Sequence, residues 1–187
     1  MLRLGLYVGT LVFGWSRPSP PPEKDRSAVE TAWKIHAALV DWTGKVDTKA
    51  SFALALESAV IAAIISLTGS GRRLSGLSGF WPLLGFWVGS LCLLLAALAA
   101  ASVVAPRLRA SATKKEWRDN YIYFGHLRHW SAPDLAKALT KRDLLPVLSR
   151  QLVAMSRVAW RKHRRVQASL VLAVIGAALV SAVTITR

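Results

Sequence analysis

The stretch from Val46 to Thr68, VDTKASFALALESAVIAAIISLT, limits what this chain can become. A polar turn of Asp47, Thr48 and Lys49 opens it, and from Ser51 to Thr68 the one ionisable residue is Glu57. At about 1.5 Å per residue, these eighteen positions make about 27 Å of helix, enough to cross the hydrocarbon core of a bilayer. No Gly or Pro interrupts it, and Ala and Leu recur, so helix is its natural state. Two more segments have the same character. Phe80 to Ala105 carries Trp81 and Trp87 near its start, where aromatic rings favour the membrane interface, and Pro82 suits a first helical turn. Val166 to Ile185 has Gln167, Ser169, Ser181 and Thr184 as its polar residues, none charged. The expectation is an all-α membrane protein with three transmembrane helices, at about 51–68, 80–105 and 166–185, and an amphipathic cytoplasmic helical region.

Composition supports this. The 187 residues are 53% hydrophobic yet carry a formal charge of +15, and both characters come in blocks. A soluble domain rarely combines the two; a membrane protein with cationic cytoplasmic parts does. Nucleic-acid binding, the other usual meaning of such charge, is set aside because of the apolar blocks. Cys92, the single cysteine, lies in an apolar run and reads as a small hydrophobe. The four His residues lack metal-ligand spacing, so no metal is expected.

Orientation follows from the loops. Residues 107–165 hold fifteen Lys and Arg against four acids, whereas the connection 69–79 has Arg72 and Arg73 alone. The positive-inside rule puts 107–165 and the N-terminal region in the cytoplasm, and Arg187 outside. Residues 1–25 read as a variable N-terminus with a proline-rich linker, Pro18 to Pro22; the apolar run Leu4 to Phe13 is too short to span, and Gly14-Trp15-Ser16 is a poor cleavage site. The single domain then covers 26–187.

Two amphipathic helices precede spans. In residues 26–46, Ala28, Ala32, Ile35, Leu39, Trp42 and Val46 alternate at spacings of four and three, one apolar stripe. Asp41 and Lys45 form an i,i+4 pair, and Gly44 suggests a bend at the membrane surface. Within 107–165, Ser131, Pro133 and Asp134 have the form of a helix start, Gly125 of a break or cap, and Asp143 of a second start. Leu148, Leu152, Met155 and Ala159 then make a second stripe, which leads through Arg161, Lys162, Arg164 and Arg165 into the third span. Each stripe needs cover, from the other or from copies in a homo-oligomer, and movement there would pass directly into the first and third spans.

No catalytic constellation is visible: no Ser or Cys has a partner base, and no phosphate loop is present. The chain therefore reads as a non-enzyme with no cofactor. Glu57, an acid inside a span, has two open readings, a pore or gating residue, or an interhelical hydrogen bond to a neighbouring Ser or Thr. Asp47 and Lys49 suggest an interface pair. The run Arg161 to Arg165 reads as an anchor against anionic lipid or as a receiver of phosphate, with Tyr121, Tyr123 or Trp117 to stack on a base.

These residues also carry a resemblance. AALVDWTGKVDTKASFALALESAV, NYIYFGHL and QLVAMSRVAWRKHRRVQASLV occur in that order, and over about residues 28–186 the chain resembles the transmembrane effector family of bacterial Pycsar antiphage systems. The resemblance rests on Asp47, Lys49, Ala50 and Ser51 before a span, on Tyr123, Phe124 and Gly125, and on Ser156, Ala159 and Lys162 before the last span; the family often has Ala where Val46 stands. It implies an effector activated by cyclic CMP or cyclic UMP from an adjacent pyrimidine cyclase. That effector would impair the inner membrane and cause abortive infection. Some members carry a cyclic-nucleotide-binding domain; here the receptor would be the chain's own cytoplasmic region or a partner's. The candidate nucleotide-binding set is Lys45, Asp47, Lys49, Tyr121, Tyr123, His126, Arg157 and Lys162, with Glu57 as pore or gating residue. The alternative function is a membrane scaffold that recruits a partner through its basic cytoplasmic face.

Overall fold

The computed structural model describes residues 23–69, 77–106 and 110–185. Among these it contains helices and no strand. Three are long: α1 (Glu23–Thr68), α2 (Phe80–Val104) and α6 (Leu144–Ile185). Between α2 and α6 lie α3 (Ala110–Glu116), a 3-10 turn (Trp117–Asp119), α4 (Phe124–Leu127) and α5 (Ala132–Lys141). The apolar run at Leu4, the proline linker and most of the connection after α1 lie outside the described residues.

All three long helices have the length and apolarity to cross a membrane. The second matches its expected span. The other two reach beyond theirs, because each amphipathic helix runs into its span without a break. Gly44 does not end α1. The polar side chains that would compete with the helix bond back into it: Thr43 Oγ1 donates to the Leu39 carbonyl at 2.7 Å, Thr48 Oγ1 to Gly44 at 3.1 Å and Ser51 Oγ to Asp47 at 3.0 Å.

α6 packs against both α1 and α2. It runs parallel to α1, since Asp47 meets Lys162 and Glu57 meets Ser169 further along both chains. It runs antiparallel to α2, since Val103 clusters with Val166 while Gly89 approaches Gly176 and Gly85 approaches Val183. The α6 seam is Leu148, Leu152, Met155, Ala159, Lys162, Val166 and Ser169, at alternating steps of four and three. The stripe expected at its start is therefore real and continues into the span.

The α1 stripe needs correction. Ala32, Leu39 and Val46 are buried, but Ile35 and Trp42 are 46% and 54% exposed, and His36 and Thr43 take the seam positions instead. The rhythm is set by Ala50, Ala53 and Glu57 further along, all buried. An unbroken helix must keep one phase, so the seam at the start follows the seam in the span.

Small residues bring α2 and α6 together, as expected where lipid removes the hydrophobic drive between helices. A Cβ added at Gly176 would lie 2.7 Å from the Gly89 carbonyl oxygen, and one at Gly89 would lie 2.9 Å from Val180 Cγ2. Gly85, Gly89 and Gly176 thus serve contacts within one chain, while Ala62 and Ala63 are exposed. Phe52, Leu56, Ile65, Leu91 and Val174 also face outward. Outward apolar side chains along all three apolar halves suit lipid, not water.

Both helix starts read from the sequence are present. The Asp134 N–H donates to Ser131 Oγ at 3.3 Å and Ser131 Oγ donates to Asp134 Oδ2 at 2.7 Å, capping α5. The Leu145 N–H donates to Asp143 Oδ1 at 3.0 Å at the start of α6. Gly125 neither breaks nor caps a helix. It lies buried inside α4, where a Cβ would run into the Tyr123 ring.

Candidate functional site

Three polar places stand out on this scaffold. The first lies where α2 ends. There Val103 packs with Val46, Ala50 and Val166 in one apolar layer. Asp47 directly follows Val46, and Lys162 precedes Val166 by one helical turn on the α6 seam. Their side chains meet: Lys162 Nζ donates to Asp47 Oδ1 at 2.5 Å and to Oδ2 at 2.8 Å. The side chains keep 24% and 40% of their exposure, so the pair borders the apolar layer and still touches solvent.

Asp47 therefore does not pair with Lys49, as its spacing had suggested. Residues two apart in a helix point away from each other. Lys49 is exposed and, among the described residues, has no ion pair. Lys45 bonds Asp41 at 2.7 Å, the expected i,i+4 pair, with both side chains more than half exposed. Arg157 is also exposed, beside a shallow groove of about 400 Å³ along α6 that Ser149, Arg150 and Val153 share.

The second place is inside the apolar half. Glu57 is 4% exposed, and its Oε1 accepts a 2.6 Å hydrogen bond from Ser169 Oγ, which is fully buried. Its Oε2 is buried with no partner among the described residues. Glu57 follows Asp47 by ten residues, which sets it about 15 Å further along the helix. Of its two readings, the interhelical hydrogen bond is present, and the unused oxygen is a cost that a purely structural contact would avoid.

The third is an aromatic knot between α2 and α6. Trp130 is its centre: its Nε1–H is shared by the carbonyls of Trp117 at 2.9 Å and Asn120 at 3.1 Å. The rings of Trp117 and Tyr121 stand edge-on to it, at 5.2 and 6.2 Å between centroids. Arg142 and Arg150 tie the knot to the start of α6, donating to the carbonyls of Arg118 at 2.6 Å and Asp119 at 3.0 Å. Tyr121 is 5% exposed, so its ring offers no open face to a base. Burial pushes its hydroxyl pKa up, against the pull of nearby Arg142. Tyr123 contacts Phe124 and His126, at 4.5 and 5.5 Å between ring centroids. Burial lowers the His126 pKa, and its Nδ1 has no partner among the described residues.

Seven of the eight candidate nucleotide-binding residues fall into two groups, and Arg157 stands apart beside its groove on α6. Asp47 and Lys162 meet at the junction, with Lys45 and Lys49 on α1 close by in sequence. Tyr121, Tyr123 and His126 belong to the knot. No hydrogen bond, ion pair or ring contact joins the two groups among the described residues. Sequence reasoning missed Trp130, Arg142 and Arg150, whose contacts are to main-chain carbonyls and leave no spacing pattern. Ser169 had a usable signal: it continues the α6 seam by seven from Lys162. A crevice of about 420 Å³ between Ile61, Ile65, Thr68, Phe86 and Leu94 is apolar and lies in the lipid-facing halves, so it does not suit a charged ligand.

Neither a curated protein nor a solved structure matches the chain. A protein-family model does: the Pycsar effector protein domain, PycTM, matches residues 31–187, which takes in α2 to α6 and all of α1 beyond its first turns. The chain, three apolar helices with a charged half on one side of them, belongs to the Pycsar effector protein family, and its role is that of an antiphage defence effector.

Proposed function

We propose that this effector responds to cyclic CMP or cyclic UMP made by a partner cyclase and impairs the inner membrane, so that an infected cell dies before phage mature. The observation that carries this reading is the continuity of α1 and α6. Each runs from the charged half into the apolar half as one helix, and the two are joined at the crossing by Asp47 and Lys162. A helix without a hinge transmits a displacement at one end to the other. Ligand contact in the charged half would therefore move the first and third spans.

The cations Lys45, Lys49, Arg157 and Lys162 suit an anionic nucleotide, and Tyr123 and His126 are half-exposed groups on the same side of the apolar layer. The centre of the three spans is filled by Leu93, Ala96, Ala100 and Val103, so a single chain encloses no channel among its described residues. Membrane impairment through a pore would need several copies, with their lipid-facing surfaces in contact. Glu57, with one oxygen unused, is the group in the spans suited to a gate.

The test is membrane potential in cells that express the chain, with cyclic CMP or cyclic UMP supplied by a co-expressed pyrimidine cyclase. Depolarisation that depends on the chain and on cyclase activity is the expected result. A steady potential with both nucleotides would sink the proposal.

A further inference from the structure

We infer that Lys162 is a binding site for a phosphodiester anion, and that Asp47 occupies it as a built-in competitor when no such anion is present. The inference deepens the reading above by assigning the contact at which a ligand acts.

The argument starts from the shape of the contact. Both oxygens of one carboxylate lie on Lys162 Nζ, at 2.5 and 2.8 Å. A carboxylate is a singly charged group with two equivalent oxygens. The two non-bridging oxygens of a phosphodiester present the same charge in the same bifurcated arrangement. One can replace the other on the ammonium group with no change in the charge held there. The pair is not sealed, since both side chains are in partial contact with solvent.

The surroundings favour a second anion over the one already bound. Close to the pair in sequence are Lys49 on α1 and Arg161, Arg164 and Arg165 on α6, none with an ion pair among the described residues, and Arg165 is one turn along α6 from Lys162. Asp41, the nearest other acid in sequence, is taken up by Lys45. Asp47 is thus one acid amid several unneutralised cations, and that field attracts an incoming anion from beyond contact distance.

The position explains what displacement would do. Lys162 and Asp47 close α6 onto α1 one turn from the layer of Val46, Ala50, Val103 and Val166. No other ion pair joins the long helices among the described residues. An anion on Lys162 releases Asp47 and removes that tie where α2 no longer supports it. With the apolar halves of the three long helices in lipid, the pair would lie at the level of the phospholipid headgroups. A cyclic nucleotide and an acidic lipid headgroup therefore share the chemistry this site takes, and experiment must separate them.

The full chain in neutral phosphatidylcholine vesicles is tested with cyclic CMP and cyclic UMP by equilibrium binding. In vesicles mixed with phosphatidylglycerol, bound lipid is counted by native mass spectrometry. A competitor makes an unusual prediction: D47N binds the anion about tenfold more tightly than the parent chain, because a charge-assisted bond no longer has to be broken first. K162M loses binding by a similar factor, and K162R, which keeps the charge, retains it. If D47N binds both probes no better than the parent, or K162M binds as well as the parent, the inference is overturned. It is equally overturned if neither probe binds the parent chain or D47N. Binding of phosphatidylglycerol alone, with the same order of variants, supports the site while removing the nucleotide from it. Nucleotide binding that ignores Asp47 and Lys162 leaves the functional proposal standing and sinks this assignment.

Discussion

Ser169 is the residue on which the burial of Glu57 depends. It is fully buried, and its hydroxyl supplies the one hydrogen bond that the carboxyl receives among the described residues. Ser169→Ala would leave both carboxyl oxygens without a partner, at a cost of about 1–3 kcal/mol. Thermal unfolding in detergent micelles should show that loss. Ser169→Thr keeps the hydroxyl and should lose less. Glu57→Gln keeps an acceptor oxygen for Ser169 and should unfold close to the parent. If Ser169→Ala unfolds like the parent, the hydrogen bond contributes nothing to the assembled bundle.

At the scale of elements, the α2–α6 crossing and the aromatic knot behave differently. The crossing is a close backbone approach, so it tolerates no added volume. Gly176→Leu should destabilise the bundle by about 1–3 kcal/mol, whereas Ala62→Leu, on an outward face, should change its stability by less than about 0.5 kcal/mol. Their thermal transitions in one detergent make the comparison. The knot should respond to pH instead. Burial lowers the His126 pKa from its ordinary 6.5; Glu116 opposes this and His129 adds to it. The folded pKa is then below the unfolded one, so the unfolded segment binds more protons between the two values. Stability is full above pH 6.5 and is lost as pH falls through the lowered value. Hydrogen exchange over residues 113–131, corrected for the intrinsic rate, should reveal easier opening at about pH 5.5 than at about pH 7.5. His126→Asn should remove that difference.

Over the whole molecule, the charged start of α1, the knot and the charged start of α6 share one side of the apolar layer, and the far ends of α1 and α6 share the other. We propose that the first side, with its excess of Lys and Arg, faces the cytoplasm. A reporter active only in the periplasm should work when fused after Arg187 and fail when inserted at Lys137. Equal activity at the two sites would contradict a three-span topology.

What the sequence determined by itself was the number of helices able to span, the blocks of charge between them and the helix starts at Ser131 and Asp143. Each of these depends on residues near one another in the chain: an apolar run, a charge count, a cap with its acceptor. The family was also legible, because its motifs are short and ordered. What the tertiary structure decided was every partner across helices. Asp47 had Lys49 two residues away and Lys162 in another helix, and only packing could turn it to the second. The apolar identities of Ile35 and Trp42 suggested a seam through them, but a helix that continues into the span has one phase, and that phase was fixed far along the chain by Ala50, Ala53 and Glu57. Local pattern sets what each segment can be, and the contacts between segments choose which of its faces is used.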